Sequence, residues 1–168
     1  MKITYLDHSG FLVETKAANY LFDYIKGEIP VTEPPKPLYV LVSHRHGDHF
    51  NPEIFKLRER YQSVTFILSY DIKVNSFRLR KWGIGENEEA SIISVRSNTT
   101  YEIEDFTLTT LKSTDEGVAF YLQTKAGTIY HGGDLNWWYW EGESKGFNNN
   151  MTANFKKEID KLTDVSID

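Results

Sequence analysis

Apolar residues in this chain fall into short runs in some stretches and into helical spacing in others. Over the first quarter the runs are short and broken by turn residues: Ile3 to Leu6, Phe11 to Glu14 after His8-Ser9-Gly10, then Tyr20 to Phe22. Runs of this length and punctuation predict an antiparallel meander of strands. Four prolines between Pro30 and Pro37 remove backbone donors and fix φ, which predicts a loop. The loop leads into Leu38-Tyr39-Val40-Leu41-Val42, an unbroken apolar run that predicts a buried strand ending at Ser43-His44.

The spacing then changes. Asn51 is suited to cap a helix with Pro52 at its first position, and Ile54, Leu57 and Tyr61 recur at helical spacing. Thr65 to Leu68 predicts another buried strand, and Ile72 to Trp82 a helix broken at Gly83 and Gly85. Strands return at Ser91 to Val95, at Tyr101 to Ile103 and Phe106 to Leu111 joined by Glu104-Asp105, and at Val118 to Gln123 and Thr128 to Tyr130 joined by Lys125-Ala126-Gly127. A last helix is expected after a loop at Asn148-Asn149-Asn150, because Phe155, Ile159 and Leu162 fall at i, i+4 and i+7. Strands first, then helices interleaved with strands, predict an α/β fold in which helices cover a sheet.

With 168 residues, 40% of them hydrophobic and 14% aromatic, a single domain over residues 1–168 is expected. A net charge of -5 gives no general attraction for polyphosphates, so nucleic acid is not an expected partner. The one basic cluster, Lys73, Arg78, Arg80 and Lys81, reads as the solvated face of a helix rather than a phosphate strip. No apolar run approaches the ~20 residues of a membrane span, and the first residues lack a secretory pattern, so a cytoplasmic protein is expected. Cysteine is absent, so any metal site must be built from nitrogen and oxygen.

Such a site is visible. Three of the five histidines fall within His44-Arg45-His46-Gly47-Asp48-His49, directly after the buried strand and before the capped helix. On a loop leaving a strand, His44 and His46 can converge on one ion while Asp48 and His49 turn toward a neighbouring position. Imidazole with carboxylate suits zinc, iron or manganese. The run Trp137-Trp138-Tyr139-Trp140 cannot turn all its rings inward, so part of it should line a cleft or an interface.

The motif His44-x-His46-x-Asp48-His49 resembles the HxHxDH signature of the metallo-β-lactamase superfamily. The opening Ile3-Thr4-Tyr5-Leu6-Asp7-His8-Ser9-Gly10-Phe11-Leu12 is similar to that family's first hairpin, and Tyr130-His131-Gly132-Gly133-Asp134 to its later strand ending in Gly-Asp. The resemblance implies an αββα sandwich and one or two zinc ions. It places His44 and His46 on the first metal, Asp48 and His49 on the second, and Asp134 between them. Asp48 and Asp134 would then be the catalytic carboxylates; His8 is either a support of the ligands or a turn histidine bonded to backbone, and His131 either such a support or a plain strand-end residue. The implied activity is metal-dependent hydrolysis of an ester, lactone or related bond in a small molecule, since a bound metal lowers the pKa of its water from ~15.7 towards ~7.

Two departures from the family pattern stand out. Ser113-Thr114-Asp115-Glu116-Gly117 carries no histidine where the family supplies a third one, so Asp115 is either a substitute oxygen ligand or, as the more usual case, a turn aspartate before Gly117, and no histidine follows His131. The chain therefore reads as shortened at its C-terminus, with an open sheet edge that invites self-association as a two-fold dimer through the Trp137–Trp140 region. The competing readings are a degenerate copy with weakened metal binding and a structural or regulatory role, and a phosphodiesterase or nuclease using the basic cluster.

Overall fold

The computed structural model describes residues 1–30, 34–85, 91–163 and 165, in two compact units, 1–95 and 96–168. The predicted loop between Pro30 and Pro37 and the final residues after Leu162 lie partly outside the described residues.

The first unit is a six-stranded sheet in the order β1 (Lys2–Asp7), β2 (Gly10–Glu14), β3 (Asn19–Phe22), β4 (Leu38–Val42), β5 (Val64–Ser69) and β6 (Ile92–Val95). β1, β2 and β3 form the expected antiparallel meander, whereas β3 to β6 run parallel. Leu12, Leu21, Val40 and Phe66 stand side by side across β2 to β5, and with Val42 and Leu68 they share an apolar core with Ile54, Phe55, Leu57 and Leu79. The last four residues come from the two crossovers. One is a 3-10 helix, Pro52–Glu59, capped by Asn51 as expected; the other is α1 (Ser76–Lys81), shorter than predicted because Asn75 caps it. Asn75 accepts the Arg78 N–H and so starts the helix four residues after Ile72. Lys73, Arg78, Arg80 and Lys81 are exposed, as a solvated face requires.

This topology decides where chemistry can sit. In parallel sheets, side chains that serve ligands gather beyond the carboxyl ends of the strands. Here β3 is followed by Asp23, β4 by Ser43-His44 and β5 by Tyr70-Asp71. The antiparallel pairing of β2 with β3 sets Phe11 opposite Phe22, so the β1–β2 turn at His8-Ser9 emerges at that same end.

The second unit is an antiparallel sheet in the order β10 (Gly127–His131), β9 (Val118–Thr124), β8 (Phe106–Lys112), β7 (Thr100–Ile103), followed by α2 (Lys145–Ile159) and a 3-10 turn (Asp160–Leu162). Phe155, Ile159 and Leu162 pack with Tyr130 against Leu111, Ala119 and Leu135, as their spacing predicts. Buried Glu158 fastens the same helix by accepting the Lys112 N–H and the Lys161 ammonium.

The Asn148–Asn150 loop is not a loop. α2 begins at Lys145 and contains the triplet, because Ser144 supplies the cap by accepting the Phe147 N–H at 3.1 Å. Asn148, buried, has a use other than turning the chain. Its amide accepts the Trp140 N–H at 3.0 Å and donates to the Trp140 carbonyl at 3.1 Å, satisfying a backbone that belongs to no strand.

Candidate metal centre

Within the first unit, His44, His46, Asp48 and His49 occupy the loop after β4. His46 accepts the His49 and Phe50 N–H groups at its carbonyl, which closes the loop into a turn, and the Arg45 N–H is held by Asp71 at 3.0 Å. His44 and His49 are buried, His46 is partly buried, and Asp48 is exposed. His44 Nε2 and His46 Nδ1 face each other at 3.1 Å. Two nitrogens bound to one zinc at ~2.0–2.1 Å lie ~3.3 Å apart at the tetrahedral angle, so this pair fits an ion between them.

A buried carboxylate sets the direction of the imidazoles. Asp23, inaccessible to solvent, accepts the Ser43 N–H and hydroxyl, each at 2.7 Å, and His49 Nδ1 at 2.9 Å. An ionised carboxylate only accepts, so the His49 proton sits on Nδ1 and the Ser43 hydroxyl points at Asp23. That leaves the Ser43 oxygen to accept from His44 Nδ1 at 3.0 Å. Both rings therefore turn Nε2 away from Asp23 as the lone-pair nitrogen that a metal needs. Asp23 itself adopts φ 42°, in the left-handed region that Asp enters more readily than most residues.

On the far side of His49, Asp48 Oδ2 lies 3.8 Å from His49 Nε2 and 3.2 Å from His8 Nε2. Partial burial alone would raise the Asp48 pKa. Its own backbone N–H and the His8 hydrogen bond, with the neighbouring His49 ring, outweigh that and hold the carboxyl below its ordinary value, so it is ionised at neutral pH.

Asp115 and Asp134 belong to the second unit, where one end of the sheet brings them together. The turn joining β8 to β9 carries Asp115, and β10 leads out through His131 to Asp134. The Thr114 hydroxyl ties the two segments, accepting the Asn136 N–H at 3.0 Å and facing the Asp134 and Asn136 carbonyls at 3.2 and 2.8 Å. Gly133 at φ 50° and the Leu135 N–H to Gly132 carbonyl bond make the bend that presents Asp134. The two carboxylates come within 4.8 Å of each other. His131, partly buried, stacks on Phe120 at 6.5 Å.

Residues 2–141 match the family described as Beta-lactamase superfamily domain. The chain belongs to that superfamily. Its similar proteins include the UPF0173 metal-dependent hydrolase of Carboxydothermus hydrogenoformans, 27% identical over 83% of this chain and 64% of the relative. Another, from Nanoarchaeum equitans, is 30% identical over 80% of this chain and 60% of the relative. The chain thus spans about three fifths of the length of these curated relatives. Among solved structures, a Parabacteroides distasonis protein aligns over 99% of this chain and 90% of its own, at 16% identity and a TM-score of 0.53. Igni18, a metallo hydrolase from Ignicoccus hospitalis, aligns over 78% of this chain and 59% of its own, at 16% identity and a TM-score of 0.56. The fold is therefore that of the superfamily, α/β with two sheets and a few helices, as the resemblance implied.

The sequence reading missed Asp23, Ser43 and Asp71. An acidic residue directly after the apolar run Tyr20 to Phe22 was the available signal for Asp23. Its weight depends on β3 lying beside β4, which no local pattern encodes.

Proposed function

We propose that this chain carries the metal site of a zinc hydrolase that cleaves an ester, lactone or related bond in a small molecule. The observation that carries the reading is the His44–His46 pair, two imidazole nitrogens 3.1 Å apart, beside rings whose other nitrogens are held by Ser43 and Asp23. Such a hydrogen-bonded support fixes which nitrogen binds and is typical of built metal sites rather than solvated histidines. The superfamily resemblance supports the remaining assignments: His44 and His46 on one ion, Asp48 and His49 on a second, Asp134 shared, and Asp115 in the place of the usual third imidazole. When bound, the metal supplies Lewis acidity and an acidified water. Asp48, ionised and exposed, is the carboxylate of this motif that would orient an attacking water.

Elemental analysis after zinc loading and gel filtration tests the site, with His44→Ala and His46→Ala expected to lose zinc while keeping their circular dichroism. Hydrolysis of a panel of aryl esters and lactones tests the reaction. A degenerate relative is the second reading, favoured by Asp115 standing where the family has histidine. It predicts zinc uptake without turnover of any member of the panel.

A further inference from the structure

The β1–β2 turn carries a histidine in a position that a turn does not require. His8 has φ 47°, in the left-handed region that non-glycine residues adopt uncommonly, although His, like Asn and Asp, enters it more readily than most. The turn is tight: a Cβ at Gly10 would meet the Asp7 carbonyl at 2.9 Å. It delivers His8 Nε2 to 3.2 Å from Asp48 Oδ2, with the His8 ring edge-on to His49 at 6.0 Å. Each of His8, Asp48 and His49 offers one ligand atom within 4.8 Å of those of the other two. Ser9 also reaches toward His49 Nε2, but at 3.5 Å that is too long for a strong hydrogen bond.

We propose that His8 is a direct ligand of the second metal, completing a His8–Asp48–His49 triad built entirely within the first unit. The inference rests on the two-ion reading above and goes beyond it, since that reading assigns His8 to no ion. The separations fit. Two donors on one ion at ~2.0–2.2 Å are at most ~4.4 Å apart, and the two edges at Asp48, 3.2 and 3.8 Å, fall inside that limit. Asp23 already fixes the proton of His49 on Nδ1, so Nε2 is the nitrogen that this triad would use. The alternative for the same 3.2 Å contact is an ion pair between a protonated His8 and Asp48, which is exposed on both sides.

Two substitutions separate these. Asn and Asp both accept left-handed φ, so His8→Asn removes the imidazole and His8→Asp replaces it with an oxygen ligand, each without breaking the turn. Zinc-loaded chains are freed of loose metal by gel filtration and read by elemental analysis, and cobalt titrations are read by visible absorption. The wild type is expected to hold two ions and H8N one, with affinity for the second lowered more than the ~10–100-fold that follows loss of an outer hydrogen-bond partner. H8D is expected to recover the second ion, because a carboxylate ligates where an ion pair with Asp48 would become a repulsion. Two ions in H8N at unchanged affinity would overturn the proposal, and so would H8D binding as poorly as H8N. A wild type holding one ion would remove the two-ion reading and His8 ligation together, whereas the first two results leave that reading intact.

Discussion

At the scale of single residues, the proposed site rests on a side chain outside its set of ligands. Asp23 is fully buried and orients His49 directly and His44 through Ser43, so its charge fixes both tautomers. Asp23→Asn keeps the shape but offers an N–H₂ where an acceptor is needed, which turns a ring proton toward the metal position. Zinc affinity measured by competition with a chromophoric chelator should fall ~10–100-fold, with the far-ultraviolet spectrum unchanged. Wild-type affinity in D23N would mean that the rings are held by packing alone. The histidine motif was legible in the sequence because its four ligand types are adjacent. Asp23 was not, because it stands 20 residues before Ser43 and meets it only through the parallel pairing of β3 with β4.

At the scale of elements, α2 shows how one cap decides a boundary. Asparagines in succession read as a loop by propensity, yet Ser144 starts the helix before them and Asn148 then serves the Trp140 backbone from inside it. Asn148→Ala would leave a partly buried N–H and C=O without their partner. Urea unfolding should show a loss of about 1–3 kcal/mol, whereas Asn149→Ala, exposed on the same turn, should change stability by less than ~0.5 kcal/mol. Equal effects would show that helix propensity, not the Trp140 clamp, sets the cost. The strands were legible with ends within one or two residues because their apolar runs are bounded by turn residues. α1 was overextended because Ile72 and Val74 belong to the apolar core without belonging to the helix.

At the scale of the whole molecule, the proposed metal binding would be linked to folding. Ions held by the folded chain and not by the unfolded one stabilise it by ~2.7 kcal/mol at a hundred times the Kd, which for a chain of this size raises Tm by about 5–10 °C. Thermal scans with zinc and with excess chelator should differ by that amount in the wild type and hardly at all in the double variant His44→Ala/His46→Ala. Trp137, Tyr139, Trp140 and Phe147 are exposed, and so are Ile3 and Tyr5 on edge strand β1, an amount of apolar surface that favours self-association. Sedimentation over a wide concentration range should show a dimer, and a monomeric mass at high concentration would contradict it. No helix among the described residues is long and apolar enough to cross a membrane.

What the sequence determined by itself is whatever neighbours in the chain can encode: strand runs, the Asn51 cap, the His44–His49 cluster and the superfamily resemblance these carry. Tertiary structure alone decided which distant residues serve that cluster. Hydrophobic alternation specifies that a strand is buried and which residues share a face, but not which strand lies beside it. Asp23 reaches His49, and His8 reaches Asp48, only because β2, β3 and β4 are neighbours whose ends meet at one edge of the sheet. Pairing of strands is a non-local choice, settled by the packing of the whole sheet, and the support of the metal site is settled with it.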